Sequence, residues 1–411
     1  MLKRTYYLNK INPLIDSNDV KLITGIRRSG KTYFLKAIMK ELKNKGVKDK
    51  NIHYISFESG QYRKIRSDLQ LDAIVENLIN NTNKHYFLFD EIQRVDSWEE
   101  SIASYLVDYN CDIYVTGSNS KMLSGELATN LSGRYVTLNL YPFSFNEILE
   151  YHEKILEKEM TPEYENKLFD EYLELGGFPG LLQYNTRESK ENYLKSAYDS
   201  IVLHDILERN EIRDNDLLER LLDFLISNTG QLYSANSISK YLKEDNKYIK
   251  RDKKEISVKT LLKYTKNILN AMIISQCKRE DVTGKKKLKL IDKYYVADLG
   301  FYTLLNENKR NYGQMLETVV YNELLRRGYK IKVGSTGENE IDFIARKFKK
   351  KIYVQVSDSV RDETTHNREF TPLTKIKDNF PKYVITSDTF DFSEYGIIHM
   401  NIIDFLKNEE I

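Results

Sequence analysis

Between residues 20 and 140 the chain alternates short apolar runs with amphipathic stretches. "VKLIT" runs into "GIRRSGKT" and then into "YFLKAIMKELKNKG", whose apolar residues recur at helical spacing before a terminal glycine. "IHYISFE", a helical stretch around "LDAIVENLIN", and the apolar strand "YFLFDE" follow in order. A helix led by Trp98, the strand "DIYVTGS" and the strand "RYVTLNL" complete the series. Strands separated by helices predict a parallel sheet with crossover helices.

From "SFNEILEY" to about residue 208 the pattern is helical and is broken by "GGFPG" at residues 176–180, a Gly-Pro signal for a sharp turn. Residues 214–305 then read as three helices, "LLERLLDFLISNTG", "SANSISKYL" and "SVKTLLKYTKNILNAMII", followed by "ISQCKRE", the basic turn "VTGKKK" and "LKLIDKYYVAD". Three helices followed by two strands are the order of a winged helix-turn-helix. The remainder opens with the helix "QMLETVVYNELLRRG", passes through two strands joined by a lysine-rich turn, "NEIDFIARKFKKKIYVQVS", and ends in α/β alternation.

Composition changes this picture little. At 411 residues the chain holds several domains, and its net charge of +2 gives no overall polyelectrolyte character. The two cysteines, Cys111 and Cys277, are far apart, which excludes a disulfide framework and suits a reducing cytoplasm. No run approaches the roughly 18 apolar residues of a membrane span. Locally, however, residues 240–293 carry 17 Lys/Arg against 7 Asp/Glu. Such an excess suits sequence-independent contact with DNA phosphates, with Lys285, Lys286 and Lys287 at the expected wing. It equally suits a solvated loop on a protein-binding module.

The strongest chemistry lies in "GIRRSGKT", which fits G-x-x-x-x-G-K-[ST]. The loop Gly25, Ile26, Arg27, Arg28, Ser29, Gly30, Lys31, Thr32 and Tyr33 joins a strand to a helix, as a phosphate-binding loop requires. Its glycines let backbone N–H groups approach phosphate, Lys31 reaches the β/γ-phosphates, and Thr32 holds Mg²⁺. Asp90 and Glu91 end an apolar strand: Asp90 is the expected partner of Mg²⁺ and Glu91 the residue that orients the attacking water. A polar group touching the γ-phosphate is expected among Thr116, Ser118 and Asn119. Arg134 is a candidate to stabilise phosphoryl-transfer charge on a neighbouring subunit.

With these motifs, "LSGRY", "PFSF" and the later "GGFP", "VADLGF" and "EIDFI", the chain resembles the prokaryotic AAA-like ATPases of the extended AAA+ group. Members carry a trailing domain that resembles PD-(D/E)XK nucleases. The resemblance implies an α/β P-loop NTPase core at 1–145, a helical lid at 146–212, a winged helix-turn-helix at 213–308 and a restriction-endonuclease-like α/β domain at 309–411. By that pattern Glu317 and Asp342 are the helix and strand acids of the nuclease frame. Gln355 and Ser357 stand where an acid and a lysine are needed, so the expected nuclease site is degenerate, although Glu338, Glu340 or His366 could join a rearranged one. The expectation is a cytoplasmic, Mg²⁺-dependent ATPase that acts as a switch or remodeller on DNA or a protein partner. Alternatives are an ATP-regulated nuclease and a sensor or defence module whose C-terminal domain binds another protein. The expected partners are ATP, DNA, another protein and further copies of the chain in a homo-oligomer, with no membrane.

Overall fold

The computed structural model describes residues 2–79, 81–118, 131, 133–210, 212, 214–244, 257–281, 291–306, 310–336 and 339–408. The chain divides into two compact units, Met1–Pro142 with Asn270–Met272, and Phe143–Leu269 with Ile273–Ile411.

The first unit runs α1 (Thr5–Ile11), β1 (Val20–Thr24), α2 (Lys31–Asn44), β2 (Ile52–Ser56), α3 (Asp68–Leu78), β3 (His85–Asp90), α4 (Trp98–Asp108), β4 (Cys111–Gly117) and β5 (Tyr135–Asn139). All five strands are parallel in the order β2-β3-β4-β1-β5, as the βα alternation predicts. Helices cover both faces. Leu22, Phe87, Phe89 and Trp98 pack on one side, and Ile23, Phe34, Leu35, Leu88 and Tyr114 on the other. Burial on two sides explains the near-continuous apolar strands. β4 lies between β1 and β3, so the carboxyl ends of these strands meet at one edge, where open α/β sheets bind ligands.

Lys21 is the exception to the apolar pattern. It sits fully buried in β1 and pairs with the equally buried Asp112 of β4, which also accepts from the Tyr114 hydroxyl at 2.9 Å.

The second unit begins with α5 (Phe145–Lys154), whose Ser144 and Glu147 form a reciprocal cap, and continues with α6 (Pro162–Leu175) and α7 (Arg187–Ser200). α7 runs on into a π-helical segment, Ile201–Glu208. α8 (Asn215–Ser227), α9 (Ala235–Glu244) and α10 (Val258–Asn270) come next, with an antiparallel sheet in the order β6-β9-β7 formed by Leu232–Tyr233, Asp292–Val296 and Ile274–Cys277. α10 ends earlier than its apolar periodicity predicts, because Met272 turns into the left-handed region (φ 60°) and Ile274 already opens β7. "ISQCKRE" is likewise not one strand. It splits after Cys277, and β8 (Arg279–Asp281) leaves β7 to pair in parallel with β10 (Lys330–Thr336).

α11 (Leu299–Leu305) and α12 (Tyr312–Arg326) lead to the six-stranded sheet. Its order is β14-β13-β12-β11-β10-β8, with β11 (Asn339–Lys347), β12 (Lys350–Val356), β13 (Lys382–Thr386) and β14 (Ile397–Asn401). β10, β11 and β12 are antiparallel neighbours, and β12, β13 and β14 are parallel. α13 (Glu363–Thr374) crosses from β12 to β13, and α14 (Ile402–Lys407) closes the described chain.

The two glycine motifs are bound together. Gly177 N–H donates to Asp298 Oδ2 at 2.8 Å, while Asp298 Oδ1 accepts from Gly300 N–H at 2.9 Å. The Gly177 carbonyl accepts from Phe143 N–H at 2.7 Å, and a Cβ on Gly177 would lie 2.1 Å from the Phe143 oxygen. "GGFP" therefore turns sharply, as its glycines predict, and only glycine fits the approach at Gly177.

Candidate functional site

At the carboxyl edge of the parallel sheet, the loop after β1 wraps into the N-terminus of α2. A Cβ on Gly25 would stand 2.2 Å from the Leu140 carbonyl, and Gly30 adopts φ 97° at the helix start. Both positions need glycine for different reasons, one for space and one for backbone sign. Ile26 is buried beneath the loop. Among the described residues the buried hydroxyl of Ser29 has no hydrogen-bond partner, the kind of orphan a phosphate oxygen satisfies.

Lys31 is buried, and its ammonium donates to the Gly25 carbonyl at 3.0 Å and the Ile26 carbonyl at 3.3 Å, 3.7 Å from Glu91 Oε1. Asp90, at the end of β3, accepts three hydroxyls. Thr32 and Tyr54 donate to Oδ2 at 2.8 and 2.9 Å, and Thr116 donates to Oδ1 at 2.7 Å. Glu91 follows in the left-handed conformation (φ 57°). Its backbone N–H donates to Thr116 Oγ1 at 3.0 Å, and its carboxylate accepts from Gln93 Nε2 at 2.5 Å and from Ser118 at 3.4 Å. The side chain is thereby held beside Lys31. Thr32 and Asp90 form a hard-oxygen pair that fits Mg²⁺.

The remaining expectations divide. Thr116 and Ser118 are both buried at the site, Thr116 bridging Asp90 and the Glu91 backbone, whereas Asn119 lies outside the described residues. Arg27 approaches Glu58 at 3.8 Å, and Arg94 closes on the same carboxylate at 2.6 Å. Arg28 takes a left-handed turn (φ 67°), and the Tyr33 side chain is about half exposed. Arg134 is exposed just before β5, whose first residue pairs with Val20 at the start of β1. It therefore lies at the sheet edge opposite the loop and does not reach the phosphate cradle of its own chain.

Two contributors carried no motif. Tyr54 is an unremarkable β2 residue until β2 pairs with β3 and sets its hydroxyl on Asp90. Burial, followed by the Asp90 charge, pushes that phenol well above its ordinary value. Arg4, buried before α1, donates from Nη1 to the Ser29 carbonyl at 3.0 Å and from Nη2 to the Tyr141 carbonyl at 2.9 Å, bracing the loop from behind. Neither contact leaves a local sequence signal, because both partners lie far along the chain.

A second polar centre lies within the other unit. Glu317 of α12 and Asp342 of β11 do converge there. Gln355 of β12 joins them through its side chain: Oε1 accepts from Asp342 N–H at 2.6 Å, and Nε2 donates to Glu369 at 2.9 Å. Ser357 is buried, and its hydroxyl makes a 3.4 Å contact with the Ser359 carbonyl. His366 stacks on Phe370 and approaches Glu394, and Glu338 lies outside the described residues. The one cation on Glu317 and Asp342 among the described residues is Lys293, counted above in the basic segment 240–293 and in fact buried. Lys285, Lys286 and Lys287 also lie outside the described residues. Burial, then the Glu317 charge, raises Asp342 well above the usual carboxylate range. Among the described residues, no group of three or more His, Cys, Asp or Glu is arranged to hold a metal.

Residues 17–149 match the family described as AAA domain, and residues 166–311 match one described as a domain of unknown function. An uncharacterized protein of Haemophilus influenzae is 37% identical over 409 residues, covering 99% of this chain and 98% of its own length. An uncharacterized protein of Methanocaldococcus jannaschii is 32% identical over 315 residues, covering 76% of this chain and 68% of its own. The structure of the Aeropyrum pernix ORC1 protein in complex with DNA aligns over 75% of this chain and 93% of that one, at 13% identity and a TM-score of 0.32. No helix among the described residues is long and apolar enough to cross a membrane.

Proposed function

The chain belongs to the family of that Haemophilus influenzae protein and carries an AAA domain, and from this premise we propose that it is a Mg²⁺-dependent ATPase. The observation that carries the reading is the convergence of Lys31, Thr32, Asp90, Glu91 and Thr116 at one sheet edge. The α2 N-terminus and the loop amides would receive the phosphates. Lys31 would exchange neutral carbonyl partners for anionic oxygens, which strengthens its hydrogen bonds. Thr32 and Asp90 would hold Mg²⁺, which supplies charge neutralisation at the phosphates when bound. Glu91, fixed by Gln93 and Ser118, would accept a hydrogen bond from the attacking water and aim it.

In this reading residues 146–212 act as a lid, 213–308 as a winged helix and 309–411 as a nuclease-shaped domain that binds rather than cuts. Hydrolysis would drive or time contact between these parts and DNA or a protein partner. The local basic excess supports DNA, and Gln355 and Ser357 in place of an acid and a lysine oppose cleavage.

Two substitutions test the site. Lys31→Ala is expected to abolish ATP binding in a fluorescent-nucleotide titration. Glu91→Gln is expected to bind ATP normally while turnover falls by about 10²-fold or more, and chelating Mg²⁺ should stop the wild type. Unchanged turnover in both variants would sink the assignment.

A further inference from the structure

The acidic centre of the second unit is built around a buried ammonium. Lys293 comes from β9 of the three-stranded sheet, while its partners come from α12 and the six-stranded sheet. Its Nζ lies 2.8 Å from Glu317 Oε1, 2.8 Å from Glu340 Oε1 and 3.6 Å from Asp342 Oδ1. The Lys293 side chain is 5% exposed. Its neighbour Tyr295, from the same strand, donates its hydroxyl to Glu317 Oε1 at 2.6 Å. On the far side, Val356 N–H donates to Asp342 Oδ2 at 2.9 Å, and Gln355 links Asp342 to Glu369, which Arg368 pairs at 2.8 Å.

Elementary electrostatics limits what such a cluster can tolerate. Acidic side chains brought together with little solvent, as Glu317 and Asp342 are with the more exposed Glu340, hold a cation or a proton among them, because repulsion and desolvation disfavour their charged forms. A divalent ion drawn to the same oxygens would have to compete with the ammonium already bound to them and would meet its repulsion. Here the chain provides the ammonium itself, from a strand outside both the helix and the sheet that carry the acids.

We propose that Lys293 is the resident cation of this centre: it closes the Glu317–Glu340–Asp342 cluster to divalent metal and clasps β9 to the six-stranded sheet. The centre is then metal-independent as long as β9 stays in place. As arranged, these oxygens surround an ammonium at 2.8–3.6 Å rather than a metal; removal of the ammonium would leave hard carboxylate oxygens free to close on Mn²⁺ or Mg²⁺.

The test is Mn²⁺ binding to the full-length, nucleotide-free protein by calorimetry. Wild type, Lys293→Met and Lys293→Met/Asp342→Asn are compared, so that any Mn²⁺ held at Asp90 is common to all three. The expected result is one additional Mn²⁺ per chain in Lys293→Met, lost again in the double variant, with Lys293→Arg behaving as wild type. A folded Lys293→Met that gains no Mn²⁺ overturns the proposal. Should that variant fail to fold, the wild type and Asp342→Asn decide alone. Equal Mn²⁺ stoichiometry supports a closed centre, and a wild-type Mn²⁺ that disappears with Asp342→Asn refutes it.

Discussion

Asp90 accepts hydroxyls from three different elements, Thr32 on α2, Tyr54 on β2 and Thr116 on β4, so both its oxygens are oriented before any ion arrives. Orientation in advance is what a metal-holding carboxylate needs from its surroundings. Tyr54→Phe removes one of these bonds without changing the volume of the ring. If Asp90 holds Mg²⁺, ATP turnover in Tyr54→Phe should need several-fold more Mg²⁺ for half-maximal rate, with the maximal rate less affected; a magnesium titration reads this directly. Asp298 makes the opposite kind of prediction, about stability. Full burial pushes its carboxyl up to about 7, although the Gly177 and Gly300 amides pull the other way. The folded chain therefore keeps a proton that the unfolded chain releases near pH 4. The resulting stabilisation is complete below that pH and is lost as pH rises through 7. Thermal melts between pH 5 and 8.5 should show the loss in the wild type, and the slope should be shallower in Asp298→Asn.

At the level of elements, β1 shows how a strand can bury a charge. Lys21 and Asp112 are both fully buried in adjacent strands, with the Ser17 carbonyl, the Asp16 amide and the Tyr114 hydroxyl completing their hydrogen bonds. Breaking such a pair from one side leaves an uncompensated charge and costs about 3–5 kcal/mol. Lys21→Met is expected to lower stability by that amount in a denaturant melt, and Lys21→Met/Asp112→Leu should recover much of it. β7 and β8 make a related point about continuity. One apolar-polar run in the sequence serves two sheets, because Cys277 pairs with Lys293 of β9 while Arg279 pairs with Val333 of β10.

For the whole molecule, the parallel-sheet unit carries the candidate nucleotide site, and the second unit carries both the basic segment and the acidic centre. If the ATPase reading holds and DNA is the partner, adding duplex DNA at low salt should stimulate ATP turnover. That stimulation should fade steeply as salt rises and fall when Lys285, Lys286 and Lys287 are reversed to Glu. Turnover indifferent to DNA at low salt, in a protein that still hydrolyses ATP, would favour a protein partner instead.

The geometry of the candidate phosphate loop was legible because it is local: Gly25, Gly30, Lys31 and Thr32 lie on one short arc of backbone, so their spacing alone limits what they can surround. The same holds for Asp90 and Glu91, set at a strand end by the apolar run before them. The resemblance to the nuclease frame pointed to Glu317, Asp342 and Gln355, and the tight turn between β11 and β12 sets the last two side by side. Spacing was silent on Tyr54, Arg4 and Lys293. Each of these acts on a partner supplied by a distant element, and the sequence carries no term for which strands become neighbours. Lys293 shows the difference most sharply. By composition it was one more charge in the basic segment 240–293; the packing of β9 against α12 and β11 makes it the buried counter-charge of an acidic centre.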